Sequence, residues 1–508
     1  MKRVLLTVVT IVAVLLVAWG PAAADEPKMG GTLVYGTGTD AHTLDPQMVT
    51  DVPTSRVVMW IHDCLVYRDT DGNLIPSLAE SWSVSEDKLN WTFKLREGVK
   101  FHDGTPFTAE AVKYSFDRIK DPEIGSPRKS TAAVVEEVEV VDDHTVVFKT
   151  SKSFAPFLAQ LTAYNLAILN PNQAKKHGKE YAQHPSGTGP FKLESWTPGE
   201  EIVLVKNEDY WGDGPYLDKL VVKIVPEDSA RVMMLMSDEL DVIASVPAIM
   251  LDRLKKAKNV KILRKTGFRT IYIGLNTEME PFTDRKVREA AALAIDAQPI
   301  VDGVLGGVGT VGGGFESPVI FGAHQNLEPY PHNPEKAKKL LAEAGYPDGL
   351  TVDFYTPTGR YLMDRQVAEA VQAQLKEVGI EAKLHAPDWG TYRQMLDEGD
   401  KIPMFLLGKG SPTGDLDLTQ TLVTMCGGKM NHFNYCNERV DELIEAQRGI
   451  VDQKERLEAL AEMQEIVYED IPLVPLFYEE QLFGARTDVM GVEVYPHEFV
   501  SFTHAWIK

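Results

Sequence analysis

Between residues 333 and 407 the chain repeats one theme three times: a helical pattern, a glycine, then a short apolar strand. The pattern over 335–344 stops at Gly345 before a strand at 351–355. The one carrying Val367, Val371, Leu375 and Val378 stops at Gly379 before 380–384. A third, around Tyr392, Met395 and Leu396, stops at Gly399 before 404–407. Glycine just past a helix adopts the left-handed conformation at little cost. Helices alternating with apolar strands predict an α/β lobe built on parallel strands.

The flanking sequence has a different texture. With 508 residues the chain exceeds what one core serves, so two or three domains are expected. In residues 78–118, Trp91, Phe93 and Leu95 alternate with Thr92, Lys94 and Arg96, the period of a half-buried strand. Asp103-Gly104 reads as a turn, Thr108 as a helix N-cap, and Val112, Ser115, Phe116 and Ile119 as one helix face. Val138 and Val140 answer Val146-Val147-Phe148 across Asp142-Asp143-His144, which predicts a hairpin. The apolar segments 271–276 and 471–476 bracket the repeating region, so the chain is expected to leave a first lobe near residue 277 and return near 472. Helices are expected over 284–295, 437–447 and 453–468.

Lys2-Arg3, an apolar run over 4–19 and Ala22-Ala23-Ala24 have the layout of a cleaved export signal. The run is shorter than the roughly 20 residues of a membrane span. Removing residues 1–24 takes away two cations, so the formal charge goes from −22 to −24. Such acidity argues against nucleic acid and anionic membranes as partners. An exported chain meets an oxidising compartment, where Cys426 and Cys436 are expected to bond; with His432 between them a metal site is the alternative reading. Cys64 is then a buried apolar residue.

Several catalytic patterns are present only in part. Gly307-Val308-Gly309-Thr310-Val311-Gly312 fits a dinucleotide fingerprint, but no strand precedes it, and a loop is expected. Ser126-Pro127-Arg128-Lys129, Ser237-Asp238-Glu239 and Lys265-Thr266-Gly267 together imitate an acyl-serine enzyme, although the middle motif ends in Glu where Asn belongs. No cofactor motif is complete, so no cofactor is expected, and no metal site is assigned.

The order of Trp82, the strand from Trp91 to Arg96, Val99-Lys100-Phe101-His102-Asp103-Gly104 and the helix after Thr108 resembles the signature region of the family 5 extracellular solute-binding proteins, the dipeptide, oligopeptide, glutathione and nickel receptors of ABC importers. Ser186-Gly187-Thr188-Gly189-Pro190 and Asn207-Glu208-Asp209-Tyr210-Trp211 resemble two further steps of that pattern. The resemblance spans nearly the whole chain after residue 24. It implies a two-lobed clamshell of the type II periplasmic-binding-protein fold, α/β, with an extra subdomain in the first lobe. The expected division is 25–70 first lobe, 71–185 extra subdomain, 186–277 first lobe again, 278–471 second lobe and 472–508 a return to the first. The implied function is non-catalytic capture of a peptide-like solute in the periplasm by a monomer that delivers it to an inner-membrane ABC permease. A metal chelate, opine or oligosaccharide is the alternative cargo, and a secreted acyl-serine enzyme the remote one.

Such a receptor must neutralise an ammonium and a carboxylate in a closing cleft, because a charge buried unpaired costs several kcal/mol. Arg360, in the loop after the 351–355 strand, resembles the family's carboxylate ligand and suits bidentate pairing. Asp415, after the 404–407 strand, resembles its ammonium ligand, with Asp417 as the fallback. Peptide receptors of the family carry Gly-Trp before this loop, where this chain has Gly408-Lys409-Gly410. The change is expected to replace an aromatic wall by a cation, and Ser411-Pro412-Thr413-Gly414-Asp415 resembles the glutathione-type branch more than the dipeptide branch. Trp389 and Tyr392 are candidates for the missing wall. Gly38 and Thr39, after the first strand, are expected to line the cleft from the other lobe. A nickel chelate would turn to His385 or His432.

Overall fold

The repeating region folds as the glycines indicate. In a computed structural model describing residues 26–398 and 402–508, helices Pro334–Glu343, Asp364–Glu377 and Trp389–Asp397 alternate with strands Leu350–Tyr355, Ile380–His385 and Met404–Lys409. These strands run parallel. Gly345 and Gly379 have φ of 95° and 93°, the left-handed turn that a side chain resists. The export signal over 1–24 and the expected stop at Gly399 lie outside the described residues.

One ten-stranded sheet runs through both lobes. Its order is Ile380–His385, Leu350–Tyr355, Met404–Lys409, Val260–Leu275, Leu473–Arg486, Val242–Ala244, Thr32–Thr37, Lys219–Ile224, Glu201–Lys206 and Phe191–Thr197. The fourth and fifth members carry the segments expected to cross between the lobes. Val260–Leu275 and Leu473–Arg486 pair antiparallel along almost their whole length, and the register shifts between Thr266 and Thr270. Both strands are longer than the apolar segments 271–276 and 471–476. The two segments expected to join the lobes, ending near 277 and starting near 472, are thus parts of two strands paired with each other.

The segment 78–118 contributes two strands and a helix to a separate unit. Ala79–Val84, Asn90–Leu95, Thr145–Thr150 and Val135–Asp142 form a four-stranded antiparallel sheet. Trp91, Phe93 and Leu95 are buried as their alternation requires, and Phe93, Phe116, Phe148 and Phe157 meet edge to face behind them. Thr108 occupies the N-cap position of Ala109–Lys120 in extended conformation, but its hydroxyl makes no cap hydrogen bond. This unit has its own core.

In the second lobe Asp452 caps Gln453–Asp470 by accepting from the Glu455 N–H. Cys426 and Cys436 form a disulfide, with Cα atoms 4.5 Å apart, and Cys64 is buried. Gly307-to-Gly312 is a loop whose Thr310 bridges to Tyr478 on the crossing strand.

Candidate functional site: a cleft between the lobes

Helix Val52–Ile61 starts at Asp51, whose carboxylate caps it by accepting from the Thr54 N–H. Opposite lie Gly410, Ser411, Pro412 and Thr413, the loop that follows strand Met404–Lys409 in the second lobe. Arg269, in the register break of the crossing strand, and Glu498, near the C-terminus, close the sides. Together these residues enclose a cavity of about 320 Å³ whose walls come from both lobes.

Three guanidiniums border it. Arg269 pairs with Glu479 at 2.6 Å and lies 3.6 Å from Glu498. Burial opposes its charge, but those carboxylates more than offset this and hold its pKa above the ordinary value. Arg68 donates to the carbonyls of Gly72 and Thr413, tying the first lobe to the second. Burial lowers its pKa to about 10, with Asp415 and Asp69 opposing. Arg128 donates to the carbonyls of Val49 and Thr50 and to the Tyr164 hydroxyl. Among the described residues neither Arg68 nor Arg128 forms an ion pair with a carboxylate, and Arg128 is the more accessible of the two, Arg68 being buried. His497, also on the wall, is held neutral because burial lowers its pKa to about 3.

The expected ligand residues are distributed differently. Arg360 is exposed and does not border the cavity, its guanidinium 5.1 Å from the Tyr361 ring and 5.2 Å from the Trp389 ring. Its loop is preorganised by Asp364, which accepts from the backbone N–H groups of Gly359, Arg360 and Tyr361. Trp389 is half-buried beside it. Tyr392 is not a wall: it is fully buried and donates its hydroxyl to the Leu406 carbonyl.

Asp415 and Asp417 are not free cleft carboxylates. Both oxygens of Asp415 accept from Arg456, at 2.8 and 2.6 Å, and Oδ1 also caps helix Leu416–Val423. Asp417 accepts from Arg448 Nε at 2.7 Å and from Gln447. Each is at most 5% exposed, and a carboxylate at that depth needs a cation, which the second lobe supplies from helices 31 to 41 residues downstream.

Lys409 adds no cation to the cleft either. It is buried against Glu316 and over the Phe315 ring, and desolvation lowers its pKa well below the ordinary value. Gly38 and Thr39 lie off the cavity, and a Cβ on Gly38 would come 2.7 Å from Arg231 Nη1. His385 pairs with Asp353 at 2.8 Å, and burial lowers His432 to about 4; neither borders the cavity.

The residues that do border it were largely silent in the sequence. Arg128 was visible only inside the apparent acyl-serine motif. Ser126 of that motif is structural: its hydroxyl donates to the Gln47 carbonyl and accepts from the Arg128 N–H, which fixes the arginine. Lys265 of the same apparent constellation is paired with Asp71.

Comparison with known proteins places this geometry. The family model for bacterial extracellular solute-binding proteins, family 5 Middle, matches residues 73–430. The chain is 31% identical over 485 residues to the glutathione-binding protein GsiB of Salmonella typhi, covering 94% of each. Among solved structures, the periplasmic binding protein DppA of Helicobacter pylori in complex with the peptide STSA is 30% identical, with a TM-score of 0.73 over 94% of this chain and 98% of that one. HbpA2 of Haemophilus parasuis is 28% identical, with a TM-score of 0.86 over 94% and 100%. The two-lobed type II architecture, the cleft shared between lobes and the match over most of the sequence lead to one conclusion: this chain belongs to the family 5 bacterial extracellular solute-binding proteins.

Proposed function

We propose that the chain captures a short peptide or peptide-like zwitterion between its lobes and delivers it to an inner-membrane ABC permease, acting as a monomer in the periplasm after removal of residues 1–24. No reaction belongs to this reading. The observation that carries it is the uncompensated Arg128 on a wall that also holds the carboxylates Asp51 and Glu498. A solute carboxylate answers the first, and an ammonium answers the second. The volume of about 320 Å³ sits at the low end of the roughly 300–1,000 Å³ typical of small-molecule sites, which favours di- and tripeptides over longer chains. The relatives named for glutathione and a tetrapeptide bind solutes of that chemistry. Arg360, exposed in the loop after strand Leu350–Tyr355, is the second candidate for the carboxylate.

The test is calorimetry on ligand-stripped protein with glutathione, a dipeptide, a tripeptide, and the tripeptide acetylated and amidated at its ends. Binding in the micromolar range, about −8 kcal/mol, is expected for at least one free-ended solute, with the blocked form weaker by about tenfold or more. Arg128→Ala should weaken the same solute by about tenfold, on the order of 1.4 kcal/mol. Equal binding of free and blocked forms would remove the zwitterion reading.

A further inference from the structure

Two sequence motifs that take no part in the cleft meet at one buried acid. Thr188, in the Ser186-to-Pro190 turn, and Trp211, in the Asn207-to-Trp211 step, both donate to Asp63 Oδ2, at 2.8 and 3.0 Å. Asp63 is 5% exposed. Its other oxygen, Oδ1, has no hydrogen-bond partner among the described residues, and neither do the hydroxyls of Tyr67 and Tyr210. All three residues border a chamber of about 200 Å³ in the first lobe, together with Trp211, Glu493 and Tyr495.

The chamber is acidic and aromatic. Asp213 and Glu493 add carboxylates, and Glu493 accepts from the Tyr495 hydroxyl. Of the cationic groups nearby, His504 lies 3.7 Å from Glu493. The Arg96 guanidinium stacks 4.8 Å from the Trp211 ring and is held by the Ser77 carbonyl and Glu80. Neither is paired with Asp63. Asp63 Oδ1 is not among the fully buried unpartnered atoms and so remains reachable from the chamber, and the faces of tyrosine and tryptophan attract cations within about 6 Å. We propose that this chamber binds a small organic ammonium group, with the ammonium on Asp63 Oδ1 and the carbon chain against Tyr67, Tyr210 and Tyr495.

Burial raises the Asp63 pKa, with the Trp211 and Thr188 hydrogen bonds opposing; a bound ammonium supplies the charge that favours its ionised form. Met59, Tyr67 and Phe499 border both this chamber and the cleft, so a single layer of side chains separates the two. The ammonium therefore belongs either to a basic end of the cleft solute or to a free alkylammonium ion.

The probe is n-butylammonium chloride, titrated at constant ionic strength into the full mature chain and followed by tryptophan fluorescence, with n-butanol as the neutral isostere. Saturable binding of butylammonium alone is expected, weaker by about tenfold in Asp63→Asn. Tyr210→Phe keeps the ring and the Asp63 hydrogen bonds, and is expected to bind butylammonium several-fold more weakly while folding normally. No saturable binding, an equal response to n-butanol, or unchanged affinity in both variants overturns the site. Gly-Gly-Lys and Gly-Gly-norleucine separate the sources. Displacement of butylammonium by the lysyl peptide, with its advantage lost in Asp63→Asn, assigns the ammonium to the cleft solute. Undisturbed butylammonium binding to peptide-saturated protein assigns it to a free ion. The chamber does not depend on the cleft reading, and butylammonium is read without any peptide present.

Discussion

Asp415 has the chemistry of an ammonium ligand and is engaged by a cation of its own lobe. It follows a strand of an α/β lobe, as a ligand carboxylate should, yet both its oxygens are held by Arg456. Removing one partner of a buried pair leaves the other uncompensated, at a cost of about 3–5 kcal/mol. Asp415→Asn is therefore expected to lower the denaturation midpoint sharply, measured by urea unfolding of the ligand-free protein. Full stability with loss of solute affinity would return the residue to the ligand set. His497 gives the second residue-scale test. Burial takes its pKa to about 3, below the roughly 6.5 of an unfolded histidine. A folded-state pKa below the unfolded one means that the unfolded chain takes up the proton first. The stability from keeping His497 neutral is thus complete above about pH 6.5 and is lost as pH falls toward 3, with a slope near 1.4 kcal/mol per pH unit at its steepest. Replacing it by phenylalanine, which suits its stacking on Phe499 and Phe268, should flatten the fall in melting temperature between pH 6.5 and 4. Parallel profiles for the two proteins would show that His497 does not carry that proton uptake.

At the scale of elements, the apolar halves of the crossing strands are legible and the other halves are not. The segments 271–276 and 471–476 read as strands because they are largely apolar. Upstream, Lys261, Arg264 and Lys265 break the pattern, as do Glu479, Glu480 and Gln481 on the partner. The structure explains these charges by pairing them across the ladder: Arg264 with Glu480, and Arg269 with Glu479. A cross-strand ion pair leaves no trace in a hydrophobic period, because its two members are some 210 residues apart. The same blindness hid the cleft. Arg68, Arg128 and Glu498 come from three distant segments, and only the fold brings them together. The Cys426 and Cys436 pair was readable because its spacing is local. Closing so short a loop is worth roughly 3 kcal/mol on chain-entropy grounds. Reduction, or Cys436→Ser, should lower the melting temperature of the second lobe's transition by that equivalent, measured by calorimetry with and without reductant. An unchanged transition would mean that the surrounding loop is held by other contacts, such as Asn431 with Tyr435.

For the whole molecule, the decisive quantity is the free-energy difference between open and closed lobes. The cleft is not the only contact between the two sides. Lys88 Nζ donates to the Gly449 carbonyl at 2.9 Å, and the Ala155 N–H donates to the Arg448 carbonyl at 2.7 Å, so the extra subdomain reaches the second lobe away from the cavity. Such contacts favour closure without touching solute. If they form only on closing, they set the fraction of molecules that is competent, and the apparent affinity scales with that fraction. One exposed hydrogen bond is worth about 0.5–1.5 kcal/mol. Lys88→Met is therefore expected to raise the solute Kd by about two- to tenfold, with the closed shape recovered at saturating solute. Calorimetry gives the first quantity, and small-angle scattering at increasing solute gives the second. An unchanged Kd would show that the subdomain and second lobe stay joined in both states. Closure would then be a motion of the first lobe's sheet about the Thr266 to Thr270 register break alone.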